Sequence, residues 1–244
     1  MATKRSSRTA VMVLLGILLV AFAAWWFLVR SDAPPAPEIS LAAETAAASG
    51  EAGQSSTADP EGIWIVDDAI GSFQDYTSTW VGYRIDEVLG QGIGSTTAVG
   101  RTPLVSGSVE IDDGVLLAAE VRADLRGLKS DRVFRDGKVS EALGVDRHPE
   151  ATFILGGPLS LAEGETETSV DVAGTLTVNG VAAEVVATLE ATLVDGVLTI
   201  VGSLPFLLVD HGIEAPSASI VVSVEDHGLV EFQLFLTQPG QGPG

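Results

Sequence analysis

Three histidines, His148, His211 and His227, are the only side chains whose ordinary pKa lies near neutrality, and the chain contains no cysteine. His148 precedes Pro149 and His227 precedes Gly228, which are loop or turn signals. The lack of thiols excludes a zinc–thiolate site, an iron–sulfur cluster, a cysteine nucleophile and a disulfide framework. No H-E-x-x-H helix, G-x-S-x-G elbow or phosphate-binding glycine loop occurs. Gly90, Gly92 and Gly94 come nearest, and without a following helix they read as a flexible connection. The acid pairs Asp67–Asp68, Asp112–Asp113 and Glu225–Asp226 lack the spacing of a calcium loop and read as surface acids at hairpin turns. Catalytic residues, metal ligands and cofactors are therefore all read as none, and the chain does not read as an enzyme.

What remains is a cluster of cations. Seven of the nine Lys and Arg residues after position 60 lie between Arg122 and Arg147, in a chain of 244 residues with a formal net charge of −20. That surplus repels phosphate backbones, so nucleic acid is not a partner. Aromatics at 6% are too few for stacking platforms. Arg132, Arg135 and Lys138, at the centre of the basic segment, suit an anionic headgroup such as a diphosphate, which arginine grips bidentately. The competing reading is a solvated helix with internal ion pairs, Asp131 with Arg135 at i,i+4 among them.

The elements that position these residues are β-strands. Apolar and polar residues alternate along Leu117–Leu125, Val170–Val178, Ala183–Leu193 and Val230–Leu236, the pattern of strands with one buried face. Turn chemistry falls between such runs at Asp112-Asp113-Gly114, Asn179-Gly180, Asp195-Gly196 and His227-Gly228. About eight strands are expected, in an all-β, antiparallel, lipocalin-like barrel. The charged stretch Ser130–Gly144 is the one helix-compatible segment.

The organisation along the chain is read as follows. Residues 1–9 form a basic, cytoplasmic N-terminus, and 10–29 form a transmembrane anchor of twenty uncharged residues, long enough to cross about 30 Å of hydrocarbon. A cleaved signal peptide ending near Ala21-Phe22-Ala23 is the rival reading, and both export the remainder. Residues 30–61 have the Pro- and Ala-rich composition of a linker that holds a domain off the membrane. The β-rich domain spans 62–238 and a flexible tail 239–244.

Inside the expected barrel, Ala119, Ala123, Ala183 and Ala187 point inward. Small inward residues leave volume for an apolar guest, unless bulky neighbours such as Phe153 and Phe232 fill it. From the residues alone both a lipid-binding barrel and a filled barrel serving as an envelope structural or interaction module remain open.

Several motifs, in this order, resemble the YceI-like family. They are Val81-Gly82-Tyr83, Val99-Gly100-Arg101, Arg135-Asp136, His148-Pro149-Glu150-Ala151-Thr152-Phe153, Leu176-Thr177-Val178-Asn179-Gly180-Val181 and Asp210-His211-Gly212-Ile213. The resemblance spans roughly residues 62–238. It implies a barrel that binds a polyisoprenoid or other amphiphilic lipid in its interior, with Ala119, Ala123, Phe153, Ala183, Ala187 and Phe232 lining the chain and Arg132, Arg135 and Lys138 meeting the head. It also implies pairing of two such domains. Asn179 stands where the family commonly has histidine, and Asp86-Glu87 stand where a basic or histidine-containing end is usual, so these departures bear on ligand choice.

Overall fold

The computed structural model describes residues 12–20, 22, 33–49, 60–90, 94–161, 167–216 and 221–239, with the side chains of 134, 167 and 168 excepted. The chain divides into two units, Met1–Asp32 and Ala33–Gly244. In the first, residues 12–20 are helical and all exposed. Among the described residues no helix is long and apolar enough to cross a membrane. Positions 10, 11, 21 and 23–29 of the expected anchor lie outside them, as do residues 1–9 and 240–244.

The second unit opens with helix α1 (Ile39–Ser49), followed by strands β1 (Gly62–Val66), β2 (Trp80–Leu89), β3 (Gly94–Thr102), β4 (Val105–Asp112) and β5 (Val115–Asp124). The short β6 (Lys129–Ser130), helix α2 (Val133–Ala142), β7 (Glu150–Leu155) and the short β8 (Leu159–Ser160) come next. β9 (Glu167–Val178), β10 (Val181–Val194), β11 (Val197–Leu207) and β12 (Val221–Thr237) complete the sheet. Every pairing is antiparallel. Eight strands form a closed ring in the order β1-β4-β5-β7-β9-β10-β11-β12, and β1 returns to β12. β12 serves two partners: its end at Leu236–Thr237 pairs with β1, and Val221–Gln233 pair with β2. β2, β3 and β6 thereby continue the wall beyond the ring.

Sequence and structure agree at three hairpins. Asp113, Asn179 and Asp195 hold positive φ (50°, 53° and 49°), each followed by a positive-φ glycine, the geometry that matches strand twist in two-residue turns. Two readings are corrected. His227-Gly228 is not a turn, because β12 runs straight through it. The β12–β2 register instead shifts between Val224 and Gly228, and Glu225–His227 form the excess residues. In β5 the inward residue is Leu116, 8% exposed, and not Leu117, 39% exposed. Glu110 pairs with Ala118 and Ile111 with Leu116, so Leu117 is the extra residue of the irregularity and Leu116 takes the inward face.

The linker expectation is corrected over residues 33–49. α1 packs on the outer face of β10 and β11. Ala42 and Ala46, one turn apart, are buried against Ile70, Val197, Val201 and Phe235. Alanines at i,i+4 let the helix backbone approach a sheet whose outer face is itself apolar here. The preceding prolines cap a buried ion cluster on the same side of the wall. Arg84 Nε donates to Glu231 Oε1 at 2.7 Å, Arg84 Nη2 donates to the Pro34 carbonyl at 2.7 Å, and Arg101 Nη2 donates to the Pro35 carbonyl at 2.5 Å. The Arg101 guanidinium stacks 3.8 Å from the Trp80 ring and 4.6 Å from that of Tyr76. Burial pushes its pKa down to about 10 against the upward pull of Glu231, so it is still a cation at neutral pH. Ala46→Asp is therefore expected to release α1 and cost about 1–3 kcal/mol. Faster amide exchange across 39–49 together with a lowered melting temperature would register it. Unchanged exchange there would show that the helix contributes no docking energy.

Candidate functional site

The barrel encloses a cavity of about 920 Å³, within the range of about 300–1,000 Å³ usual for small-molecule sites. It reaches from Pro60, Glu61 and Gly114 near one set of hairpins to Lys138, Pro216 and Val221 near the other end. Its wall is built by the period-two faces of the strands: Val81 and Ile85 of β2, Ala119, Val121 and Ala123 of β5, Val172 and Leu176 of β9, Ala187, Leu189 and Ala191 of β10, and Val230, Phe232 and Leu234 of β12.

Three inward aromatic rings lie against glycines of neighbouring strands. A Cβ added at Gly100 would collide with the Tyr83 ring, one at Gly174 with Phe153, and one at Gly202 with Phe232. Flattened against bare backbone, the rings line the lumen without filling it. The sequence signal was present, since a glycine inside a strand marks close approach. Pairing each with its ring requires the register, in which Tyr83 faces Gly100 and Phe232 faces Gly202.

α2 lies across one end. Arg135, Lys138, Val139 and Ala142, spaced i, i+3, i+4 and i+7, all line the cavity, as one face of a helix must. The Arg-Asp dipeptide pins the start of this helix. Asp136 Oδ1 accepts from the Ser130 amide at 2.8 Å and from Ser130 Oγ at 2.5 Å. Arg135 Nη1 donates to Asp131 Oδ1 at 2.7 Å, and its Nη2 pairs with Glu87 of β2. Burial lowers the pKa of this guanidinium and the two carboxylates, Asp131 foremost, more than restore it. Burial, and next Asp131, push the neighbouring Tyr83 hydroxyl well above its usual range.

The remaining motif residues build the same end. The Asn179-Gly180 turn packs under the loop that carries Gly144 and His148. Asn179 Nδ2 donates to the His211 carbonyl at 3.2 Å, His211 Nδ1 lies 3.0 Å from the Val181 carbonyl, and the His211 ring stacks on Phe206 at 4.9 Å. These are packing roles. Among the described residues these motifs build packing contacts at one end of the barrel.

Of the nine residues singled out from sequence, Ala119, Ala123, Phe153, Ala187, Phe232, Arg135 and Lys138 line the cavity. Ala183 and Arg132 do not. Ala183 sits three residues past Gly180, opposite Leu176, which does line the cavity, and Arg132 immediately precedes α2. Arg135 is 7% exposed and bound by two acids, so it is not the unspent cation that a diphosphate would need. Lys138 is exposed and paired with Glu141 at 2.8 Å. Glu87, which stood out in the sequence only as a departure from the family pattern, lines the cavity and is 6% exposed. Glu225, Asp226 and His227 bring potential ligand atoms within 4.8 Å of one another, but all three are exposed.

A closed antiparallel barrel around a long apolar cavity, with a helix across one end, is of the lipocalin-like class. Residues 74–236 match the model of the YceI-like domain, and the chain belongs to that family. Among solved structures it is similar to BcnA of Burkholderia cenocepacia, at 19% identity and a TM-score of 0.53, covering 70% of this chain and 98% of that one. It is likewise similar to a polyisoprenoid binding domain from Saccharophagus degradans implicated in plant cell wall breakdown, at 16% identity and a TM-score of 0.52, covering 73% of this chain and 99% of that one. No curated protein sequence matches the chain.

Proposed function

We propose that this protein binds a polyisoprenoid or similar amphiphile in the barrel and does no chemistry on it. The observation that carries the reading is the 920 Å³ cavity itself, kept open by Ala119, Ala123, Ala187 and Ala191 and by rings folded onto glycines. An elongated apolar void stays dry and favours a guest that brings its own hydrocarbon. The filled barrel of an interaction module has no use for such a space. The similarity to the polyisoprenoid binding domain from Saccharophagus degradans points the same way. Equilibrium uptake of a labelled polyprenol by the full-length protein tests the reading. Saturable binding supports it, and no uptake overturns it.

The protein is further proposed to be tethered to the cell membrane through residues 10–29, with the barrel outside the cytoplasm. The described part of that run is helical and exposes apolar side chains throughout, and Lys4, Arg5 and Arg8 precede it. The full-length protein is expected to sediment with membranes and to resist carbonate extraction. Recovery in the soluble fraction, or a mature N-terminus at Ala24, would contradict the tether.

A further inference from the structure

We infer that the lipid held by this barrel ends in a hydroxyl group, and that Glu87 is the residue that turns anionic heads away. The inference rests on the lipid-binding reading and narrows it to the chemistry of the head.

Beneath α2 the cavity is lined by the polar groups Tyr83 and Glu87 of β2 and Arg135 of α2. Arg135 bonds to both Glu87 and Asp131, whose side chains are 6% and 3% exposed. The three together carry a net single negative charge out of water. The other cation of α2 on the cavity wall, Lys138, already meets Glu141, and Arg84 meets Glu231. Asp136, the remaining acid at this end of the helix, accepts from Ser130. A diphosphate seated here would lose its hydration beside a negative cluster whose one guanidinium is already held twice, a costly arrangement in a low-dielectric site.

An uncharged head meets unspent hydrogen-bonding capacity instead. Among the described residues, five buried side-chain polar atoms lack a partner, and three surround this cluster: Tyr83 Oη, Thr96 Oγ1 and Asp131 Oδ2. Thr96 stands directly across from Glu87 in the β2–β3 register. Buried groups of this kind are ordinarily satisfied, so the unpartnered Tyr83 hydroxyl on the cavity wall beside Glu87 marks a place for a ligand atom, while Thr96 and Asp131 are not part of the lining. The Tyr83 hydroxyl keeps its proton and so donates. The carboxylates only accept. A head that serves both must accept and donate at one small atom. A hydroxyl does both, an ether or carbonyl only accepts, and a diphosphate only accepts while adding negative charge.

The test uses full-length protein loaded with a fluorescent polyprenyl probe and displaced by geranylgeraniol, its methyl ether or geranylgeranyl diphosphate. The alcohol is expected to displace the probe about tenfold better than the ether and by a wider margin over the diphosphate. Glu87→Gln removes one negative charge and is expected to narrow the alcohol-to-diphosphate gap by about tenfold. Tyr83→Phe, which deletes one hydroxyl and nothing else, is expected to weaken the alcohol about threefold or more and serves should the Glu87 variant fail to fold. Equal displacement by all three compounds, or preference for the diphosphate, overturns the head assignment and leaves lipid binding standing. Failure of the probe and of all three compounds to bind overturns lipid binding and the head assignment with it.

Discussion

Arg135→Ala is expected to destabilise the barrel domain by about 3–5 kcal/mol, because it strands two buried carboxylates without their counter-charge. Glu87 and Asp131 lie on different elements, β2 and the turn before α2, and Arg135 ties both together. Removing it leaves like charges facing each other in a site closed to water. α2 would detach from the wall to let them hydrate, and the cavity would lose one end. Chemical denaturation of the variant measures the loss, and exchange of the amides of 133–142 reports the detachment. Replacing the whole set, Arg135→Met with Glu87→Gln and Asp131→Asn, should recover most of the loss, since exchanging a buried ion network for neutral groups of similar size is often close to neutral. A single Arg135→Ala variant within about 0.5 kcal/mol of wild type would show that the carboxylates are solvated and the network carries no weight.

The second large effect is on binding. Ala187 and Ala119 face the lumen from β10 and β5. Ala187→Phe with Ala119→Leu is expected to abolish uptake of a polyprenol while the circular dichroism of the sheet persists. Bulk placed in a true void costs little, whereas bulk forced into a packed core costs about 1–3 kcal/mol at each site. The two readings of these alanines therefore part in one pair of measurements. Lost uptake at nearly unchanged stability identifies a cavity. Retained uptake with a large fall in the denaturation midpoint identifies a packed core and places the ligand elsewhere.

The legible parts of this fold were those set by neighbours in sequence. Period-two alternation placed β9 and β10 within a few residues of their observed ends, and the Asn179-Gly180 and Asp195-Gly196 turns were readable because a positive-φ pair needs those residue types. The helix-compatible stretch around Arg135 became α2, and seven of the nine singled-out residues reached the cavity. The features set by distant partners were not legible. The shift that turns Leu116 inward depends on how β5 pairs with β4. Ala42 and Ala46 look like any other alanines in an Ala-rich tract, and nothing local distinguishes the pair that docks on β10 and β11. For Arg135 the sequence left open a headgroup cation or an i,i+4 pair with Asp131, and the pair is what forms. The acid that completes its neutralisation, Glu87, lies 48 positions away in sequence. Gly202 and Phe232 come together only across the β11–β12 pairing.

That a lipid occupies the barrel is the central claim, and native mass spectrometry of the purified full-length protein tests it most directly. The expected spectrum shows protein carrying one added species of lipid mass, lost on extraction with organic solvent and regained on incubation with a polyprenol. A bare protein mass in every preparation, with no uptake of added lipid, would contradict it.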